Sequence, residues 1–425
     1  MNSKPMDGKP EKHSALRWIT WVALAVAAAG FAYHAYRQTV DFRVYYSTTR
    51  AMMAGSRDFY GDRSGIGWPM VYRCSPLFVL LFVPFALLPL SVASALWVIL
   101  KFVVLVVLVR AIERHFARTG HSQDSPAARW IFVALVSFPF VIAELNSGNV
   151  QLLIFAMAAA GFCLLESRPK SAAALFALGT SIKAFPAFFI PYLWMRGYRR
   201  VAYSFAGLLA LFLLLPSLVF GFATNLRLLR AWFAEGIGMP EASKWGIGPD
   251  YSLRGVMARY LTTMTYIPDP NFRNINFAHV SPRTLQICWL TIAIVAYVAL
   301  LLLANHLRSR RRVAASTTLG ALEYSLLFCA QLILAPVTEQ TYFAAMLFPA
   351  LILAHELGPK ERREHKAIAA VGSAAALLLA VPLLVPGRAN QRLLAVYAPI
   401  SWGACLLAVT FLLLIRSRLS PSASE

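Results

Sequence analysis

The sequence predicts an all-α polytopic membrane protein, built as one bundle of transmembrane helices. Hydrophobic residues make up 59% of the 425 residues and charged residues only 14%, and the mean hydropathy is +0.60. Apolar stretches recur along most of the chain, and about 20 apolar residues cross the hydrocarbon core as a helix. These observations predict about 10 to 13 membrane segments, with two main loops on the outer face, in a single compact domain.

The charge distribution indicates topology. The chain has 40 Lys and Arg against 19 Asp and Glu, a net charge of +21. The basic residues cluster in short segments between apolar stretches, where cytoplasmic loops carry them. We therefore attribute the charge to topology and lipid contact, and not to nucleic-acid binding. The five cysteines are scattered, and no P-loop, HExxH or CxxC motif occurs, so no disulfide framework, nucleotide-driven mechanism or zinc site is indicated.

In chain order, residues 1–17 are expected to form a cytoplasmic tail, residues 18–416 the transmembrane domain and residues 417–425 a second cytoplasmic tail. The first apolar stretch lacks a cleavage site and predicts a retained helix. Polar stretches at about residues 37–75 and 223–283 predict the two outer loops. The expected location is the plasma (inner) membrane, with multiple crossings and the functional face toward the periplasm or cell exterior.

Three local patterns refine this topology. In the first loop, apolar and aromatic residues recur at helical spacing: Phe42, Tyr45, Tyr46, Thr49, Met52 and Met53. This spacing predicts an amphipathic helix along the membrane surface. Residues 75–100 carry no charge and are broken by Pro84 and Pro89, and they predict a partly re-entrant segment. Basic residues flank residues 171–195 on both sides, which predicts a hairpin with Lys183 and Pro186 at its tip.

The rare acidic residues can be sorted by position. Glu144, Glu323 and Glu339 lie at or inside helix ends, where burial is costly and an ionisable group indicates a functional site. Asp41 lies just beyond the first apolar stretch, near the headgroup plane. A carboxylate there could take a proton from an attacking sugar hydroxyl, or it could merely cap the following helix. Spacing alone does not decide between these roles.

Basic and aromatic residues on the same side could contact an anionic substrate. Four of them could hold a phosphate by charge-assisted hydrogen bonds: Arg43, Arg73, Lys183 and Arg254. Each arginine could equally anchor a headgroup or pair within a loop. Lys183 differs, because a lysine inside an apolar stretch needs a compensating anion. Three tyrosines could pack on a sugar or prenyl chain, or simply form an interfacial belt: Tyr45, Tyr46 and Tyr72.

These segments resemble a known family. Asp41-Phe42-Arg43-Val44-Tyr45-Tyr46 with Gly55-Ser56-Arg57-Asp58-Phe59-Tyr60 resembles the pattern after the first helix in glycosyltransferase family 87, the polyprenol-phosphate-mannose-dependent mannosyltransferases of the GT-C superfold. Further similar segments follow in the family's order: Tyr72-Arg73-Cys74-Ser75-Pro76-Leu77-Phe78, Gly148-Asn149-Val150-Gln151, Ser181-Ile182-Lys183-Ala184-Phe185-Pro186 and Tyr251-Ser252-Leu253-Arg254-Gly255. The likeness extends over roughly residues 37–350.

The resemblance implies a GT-C fold, a polyprenyl-phosphate-linked donor with mannose as the expected sugar, inversion at the anomeric carbon and Asp41 as general base. A lipid or envelope glycan is the expected acceptor. Beside the four basic residues and three tyrosines above, four residues are expected to contact substrate: Asn146, Asn149, Gln151 and Glu339. The chemistry needs no redox cofactor. A divalent metal on Asp41 and a second carboxylate stays open, although no dense acidic cluster indicates one.

One segment departs from the family pattern. Where members commonly carry Ser-Pro-x-Ser-Trp-x-His-His, this chain reads Ala335-Pro336-Val337-Thr338-Glu339-Gln340-Thr341-Tyr342. Thr341 and Tyr342 replace both histidines, so the donor sugar could differ, or Glu339 could supply another contact. Two other functions stay open: a transporter or flippase of a lipid-linked sugar, and a partner subunit without activity. A transporter predicts related halves and ionisable groups near the midplane, whereas the charged candidates here concentrate at one face, which favours an enzyme.

Overall fold

The computed structural model describes residues 10–38, 40–61, 71–117, 126–237, 250–262, 275–310, 318–356, 363–385, 387, 390 and 396–419. Most of the predicted N-terminal tail lies outside these ranges, and so do the end of the C-terminal tail and the central parts of both predicted outer loops. The described residues form α-helices with short 3-10 and π segments, and they include no strand.

The helices, in chain order, are α1 Pro10–Arg37, α2 Asp41–Met53, α3 Pro76–Leu81, α4 Val83–Ala86, α5 Leu90–Ala117, α6 Pro126–Ser147, α7 Gln151–Leu164, α8 Pro169–Ile182, α9 Ile190–Arg196, α10 Arg199–Leu214, α11 Ser217–Phe220, α12 Phe222–Ala231, α13 Leu253–Leu261, α14 Pro282–Arg310, α15 Thr318–Leu334, α16 Leu347–Glu356, α17 Arg363–Leu384 and α18 Pro399–Leu419. The 3-10 segments are Phe185–Phe189 and Gln340–Met346, and a π segment spans Trp232–Ile237.

Among the described residues, seven helices are long and apolar enough to cross a membrane: α1, α5, α6, α10 with α11, α14, α17 and α18. Two further apolar helices, α7 and α15, are shorter. Counted together, these are nine apolar helices in the described part of the chain, one fewer than the lower bound of the predicted 10 to 13 segments. The predicted fold class, an all-α polytopic membrane protein, is confirmed.

The hairpin predicted around residues 171–195 is present as two short arms. Helix α8 forms the first arm, and the 3-10 segment Phe185–Phe189 with α9 forms the second. The Tyr198 hydroxyl donates a hydrogen bond to Glu166 at 3.4 Å, so the basic ends of the two arms meet. Each arm spans about 20 Å at the usual helical rises. Because the hydrocarbon core is about 30 Å thick, Lys183 at the tip lies within the depth of the bundle.

Other chain segments meet at the tip of this hairpin. The backbone N–H of Ser75, just before α3, donates to the carbonyl of Ile182 at 3.1 Å. Near the end of α15, the Gln331 amide donates to the carbonyl of Phe185. The longer helices α5 and α14 have 28 and 29 residues, which corresponds to about 42 Å. Polar chain ends thus meet inside the bundle, on the side away from the basic loops.

The amphipathic helix predicted in the first loop is α2, but protein buries its apolar face. The Phe42 and Phe82 ring centroids are 5.2 Å apart, those of Tyr45 and Phe78 5.1 Å, and Trp97 of α5 lies 5.4 Å from Phe82. This corrects the expectation that the apolar face rests on the membrane, because helical spacing identifies a buried face without showing what buries it. Each aromatic pair adds about 0.5–1.5 kcal/mol to area burial, so α2 is held firmly against α3, α4 and α5.

Candidate active site

Asp41 is the first residue of α2, and a residue distant in sequence holds its carboxylate. Asn149 donates from Nδ2 to Asp41 Oδ2 at 2.9 Å. Val40 takes the N-cap position, and no side-chain cap bond is present. The negative charge lies at the helix N-terminus, where the helix dipole favours it. The carboxylate is therefore fixed by a tertiary contact and does not act as the cap of its own helix.

The orientation of the Asn149 amide follows from its other contacts. Its Oδ1 accepts from the backbone N–H of Gln151 at 3.2 Å and from the Tyr45 hydroxyl at 3.3 Å. A backbone N–H can only donate, so Nδ2 is the atom that faces Asp41. Within the described part of the chain, no donor reaches the other Asp41 oxygen, and the side chain is half-buried. A carboxylate with one oxygen anchored and one open can accept a proton from a bound hydroxyl.

Asn149 belongs to a polar turn, residues 144–151, that joins α6 to α7. Gly148 has a φ of +74°, a left-handed conformation that favours glycine. Its carbonyl accepts from Trp97 Nε1 at 2.9 Å. Lys101, also on α5, donates to the carbonyl of Asn149 at 2.8 Å. Helix α5 thus holds the turn at two points and fixes the residue that contacts Asp41.

Lys183 directly follows α8, and its ammonium group meets an aromatic side chain. Nζ donates to the Tyr342 hydroxyl at 3.2 Å and lies 4.9 Å from the centroid of the tyrosine ring. Phe185 packs edge-on against the same ring at 5.0 Å. Tyr342 is one of the two residues that replace histidine in the family pattern. Among the described residues no carboxylate lies within ion-pair distance of Lys183, so its charge is available to an anion.

Glu339 belongs to the same charged neighbourhood. Burial raises the pKa of this carboxyl group, the charge of Lys183 lowers it, that of Asp41 raises it and that of Arg73 lowers it. Such influences weaken with distance, so Glu339 lies within electrostatic range of Lys183, Asp41 and Arg73. All four residues were predicted at the site from the sequence, and in the structure Glu339 is the one on which the charges of the other three act.

Arg254 lies beside the segment that leads to Glu339. Its guanidinium donates from Nη1 to the carbonyl of Pro336 at 3.3 Å and lies 5.8 Å from the Trp289 ring. The side chain is buried. Arg254 therefore borders the charged neighbourhood, and its role at a donor phosphate stays a prediction.

Asp250, an acidic residue of the second predicted outer loop, holds two chain segments together. Its Oδ1 accepts from the backbone N–H groups of Ser252 and Thr338, both at 2.9 Å. The neighbouring Tyr251 donates its N–H to the carbonyl of Thr338 at 2.7 Å. Burial raises the pKa of Asp250, and the two backbone hydrogen bonds lower it. This clamp fixes the start of the segment that carries Glu339.

The hydroxyl groups of the three tyrosines expected at the substrate all have partners within the protein. Tyr72 is 1% exposed, and its hydroxyl donates to the carbonyl of Ser75 at 3.0 Å. Tyr46 donates to the carbonyl of Leu88 at 2.8 Å. Tyr45 is buried and contacts Asn149, as described above. Each of the three hydroxyl groups thus donates to an acceptor within the protein, and a role of these tyrosines at the substrate stays a prediction.

Three further predicted residues differ in exposure. Arg43 is exposed on α2, and Asn146 is half-buried in the last turn of α6. Gln151 is fully buried at the start of α7, and neither polar atom of its side chain has a hydrogen-bond partner in the described part of the chain. An unpaired buried amide is costly, so a water molecule or a substrate hydroxyl would stabilise Gln151.

Sequence reasoning missed Lys101, although a signal existed. Lys101 interrupts an otherwise charge-free stretch, which is the same signal that identified Lys183. With regard to metal binding, no three His, Cys, Asp or Glu side chains come close enough to hold an ion within the ranges that the structure describes.

Comparison with known proteins supplies the family. A family model described as glycosyltransferase family 87 matches residues 74–330, which is more than half of the 425 residues. The matched region includes Asn149, Lys183 and Arg254, whereas Asp41 precedes it and Glu339 follows it. No curated protein and no solved structure matches the chain. The match over most of the bundle shows that the chain belongs to glycosyltransferase family 87 and is a membrane glycosyltransferase.

Proposed function

We propose that the enzyme transfers one sugar, assigned as mannose, from a polyprenyl-phosphate-linked donor to a lipid or envelope-glycan acceptor. The observation that carries this proposal is the Asp41 carboxylate, which Asn149 anchors at 2.9 Å and which, like Lys183 and Arg73, lies within electrostatic range of Glu339. Displacement of a phosphate leaving group needs a base for the attacking hydroxyl and positive charge for the phosphate. The site has side chains suited to both tasks.

In the proposed reaction, the acceptor hydroxyl attacks the anomeric carbon, and the bond between that carbon and the phosphate oxygen breaks. The bonding electrons leave with the phosphate, which gives free polyprenyl phosphate, while Asp41 takes the proton of the hydroxyl. Lys183 and Arg73 stabilise the negative charge that develops on the leaving group. A single displacement inverts the configuration of the sugar.

The remaining charged residues have supporting roles in this proposal. Arg254 and Arg43 contribute positive charge at the border of the phosphate site. Glu339, half-buried and close to Lys183, accepts hydrogen bonds from substrate hydroxyls. The site is assigned to the periplasmic or outer face of the plasma (inner) membrane, because the positive-inside rule places the opposite, basic loops in the cytoplasm.

The test is sugar transfer from radiolabelled polyprenyl-phosphate-mannose to a membrane lipid extract by the purified full-length protein. Asp41→Asn keeps the side-chain shape and can still accept from Asn149, but it cannot take a proton. We expect a loss of roughly 10²-fold or more, the size of general-base catalysis. Asp58→Asn, which changes an exposed carboxylate of the same loop, serves as the matched control and should transfer at the wild-type rate.

Each outcome tests a different part of the proposal. Equal transfer by wild type and Asp41→Asn would remove Asp41 as the base. Competition with unlabelled donors tests the sugar. If excess polyprenyl-phosphate-glucose suppresses transfer as strongly as excess polyprenyl-phosphate-mannose, the assigned sugar is wrong. Absence of transfer by wild-type protein that is folded would refute the donor assignment and support a partner subunit without activity.

A further inference from the structure

We propose that the buried ion pair between Lys101 and Glu144 positions the catalytic base. The pair fixes the turn of residues 144–151 and, through Asn149, the carboxylate of Asp41. This inference rests on the proposed function, because it takes Asp41 as the base. Lys101 and Glu144 touch no substrate in this scheme, so both are positioning residues.

The placement of Lys101 needs an explanation. It lies inside the apolar helix α5, in a stretch long enough to span a membrane, and both partners of the pair have completely buried side chains, with Nζ and Oε1 3.3 Å apart. An ionisable residue at such a place is costly, so it is expected to pair and to serve a function. Its contacts show which part of the molecule it acts on.

All the contacts of the Lys101 ammonium group go to one turn. Nζ donates to the main-chain carbonyl of Glu144 at 2.7 Å and to that of Asn149 at 2.8 Å, and the Glu144 carboxylate is the third partner. A lysine has three N–H donors, and here all three have an acceptor at the ends of the turn. Lys101 therefore holds residues 144 and 149 at a fixed separation.

Glu144 extends this connection to the next helix. Its Oε1 accepts from the backbone N–H of Leu152 at 2.9 Å. That N–H belongs to the first turn of α7, which has no intrahelical acceptor, and the helix N-terminus favours a negative charge. The pair thus joins α5, the turn and α7 in one network.

The network ends at the base. Lys101 fixes the main chain of Asn149, while Gln151 and Tyr45 fix its side-chain oxygen, and these contacts leave Nδ2 at 2.9 Å from Asp41. Catalysis depends steeply on such geometry, and a displacement of about 1 Å can lower a rate about 10²-fold. Loosening the turn should therefore reduce the chemical step more than the binding of the donor.

A second buried ion pair provides the matched control. Arg196 donates to Glu323 from Nε at 2.7 Å and from Nη2 at 2.9 Å, and Tyr192 donates to the same carboxylate. These side chains are almost as buried as Lys101 and Glu144. Glu323 was one of the ionisable candidates in the sequence, but in the structure its carboxylate is held by Arg196 and Tyr192 at the basic end of the hairpin, away from the turn. Neither residue of the pair is assigned to catalysis or substrate binding. Removing it should destabilise the protein without moving Asp41.

The experiment compares Lys101→Met/Glu144→Gln with Arg196→Met/Glu323→Gln in full-length protein. Folded protein is quantified by size-exclusion elution and thermal unfolding, and kcat and donor KM are measured with radiolabelled polyprenyl-phosphate-mannose. We expect the Lys101 and Glu144 variant to lose about 10- to 100-fold in kcat, with the donor KM within about threefold. The control variant should unfold at lower temperature but keep its kcat within about twofold.

A double-mutant comparison tests whether the effect passes through Asp41. In an Asp41→Asn background, removal of the Lys101–Glu144 pair should cause no further loss of kcat, because the effects of substitutions at coupled residues do not add. Wild-type kcat in the pair variant, or a full additional loss in the Asp41→Asn background, would overturn the positioning role and leave the proposed function intact. If Asp41→Asn alone is fully active, the base assignment itself fails.

Lys101→Arg provides a second variant in case the uncharged pair does not fold. It keeps the positive charge in the apolar helix, but the planar guanidinium cannot place its donors as the ammonium group does. We expect folded protein with kcat reduced about tenfold. A kcat equal to that of wild type would contradict the requirement for this geometry.

Discussion

The contact between Asn149 and Asp41 allows a sharp test through one isosteric change. Asn149→Asp preserves the size of the side chain and its Oδ1 contacts with Gln151 and Tyr45. It replaces the donor that faces Asp41 by a second carboxylate oxygen. The substitution therefore replaces an attractive contact with Asp41 by a repulsive one and leaves the packing of the turn nearly unchanged.

The size of the expected repulsion follows from the distance between Asn149 Nδ2 and Asp41 Oδ2. Two carboxylate oxygens would face each other across the 2.9 Å of the hydrogen bond, and two unit charges at this separation repel by about 6 kcal/mol at an effective dielectric constant of about 20. Both groups cannot be ionised together, so they share a proton, as neighbouring carboxylates do. The base is then blocked at neutral pH and is freed only as the pH rises.

The assay is the pH dependence of sugar transfer, with Asn149→Ala as a comparison. Alanine removes a hydrogen bond to a charged group, worth about 1.5–3 kcal/mol, or roughly 10- to 100-fold in rate, but it adds no charge. We expect Asn149→Asp to be slower than Asn149→Ala at neutral pH and to recover as the pH increases. If the aspartate variant is the faster one at neutral pH, Asn149 does not donate to an ionised base.

Asn225→Ala is the control for the effect of removing a buried side-chain amide outside the site. Asn225 is 1% exposed and donates to the carbonyl of Leu213 at 2.9 Å, but it lies on α12 and not in the turn. Its loss should lower the unfolding temperature and leave the pH profile of transfer unchanged. A changed profile would show that the assay reports stability and not the base.

Two further predictions follow from the site and its support. Tyr342→Phe removes the hydroxyl that Lys183 contacts and should raise the donor KM about 2- to 10-fold, the value of one hydrogen bond, and an unchanged KM would exclude a role for this contact in donor binding. In Gly255→Ala, the added Cβ would lie 2.4 Å from the Asp250 carbonyl oxygen, so thermal stability should fall by about 1–3 kcal/mol. Gly207→Ala, with nothing within 4 Å, should be neutral or slightly stabilising, and equal losses in both variants would contradict the steric explanation.

The fold class and the hairpin could be predicted because they depend on properties local to the sequence. Hydropathy over about 20 residues identifies a membrane helix, and basic flanks on both sides of residues 171–195 identify a chain that returns to its starting side. Lys183 was found because a lysine in an apolar stretch needs a partner. Such local rules therefore identify a site residue only when the free-energy cost of burying it can be recognised within one segment of the sequence.

The pairings within the site could not be predicted, since they join distant segments. Asn149 and Asp41 are 108 positions apart, and Lys183 and Tyr342 are 159 apart. Helical spacing in α2 likewise identified its apolar face but not the rings that bury it. The tyrosine hydroxyl groups illustrate the same limit, because whether a hydroxyl meets a carbonyl or a substrate depends on the packing of other helices.

Lys101 and Lys183 both lie inside apolar stretches, so both carry the cost of a buried charge, but we assign them different roles. Lys101 is completely buried and its charge is balanced by Glu144, so all of its donors are used within the protein. Lys183 instead meets a neutral hydroxyl, which orients the ammonium group without cancelling its charge. Within the described part of the chain Lys183 has no carboxylate at ion-pair distance, and a cation at this depth attracts an anion strongly because the surroundings screen it poorly. The difference in partner, a carboxylate or a phenol, therefore separates the lysine that holds the site together from the lysine that we assign to the donor phosphate.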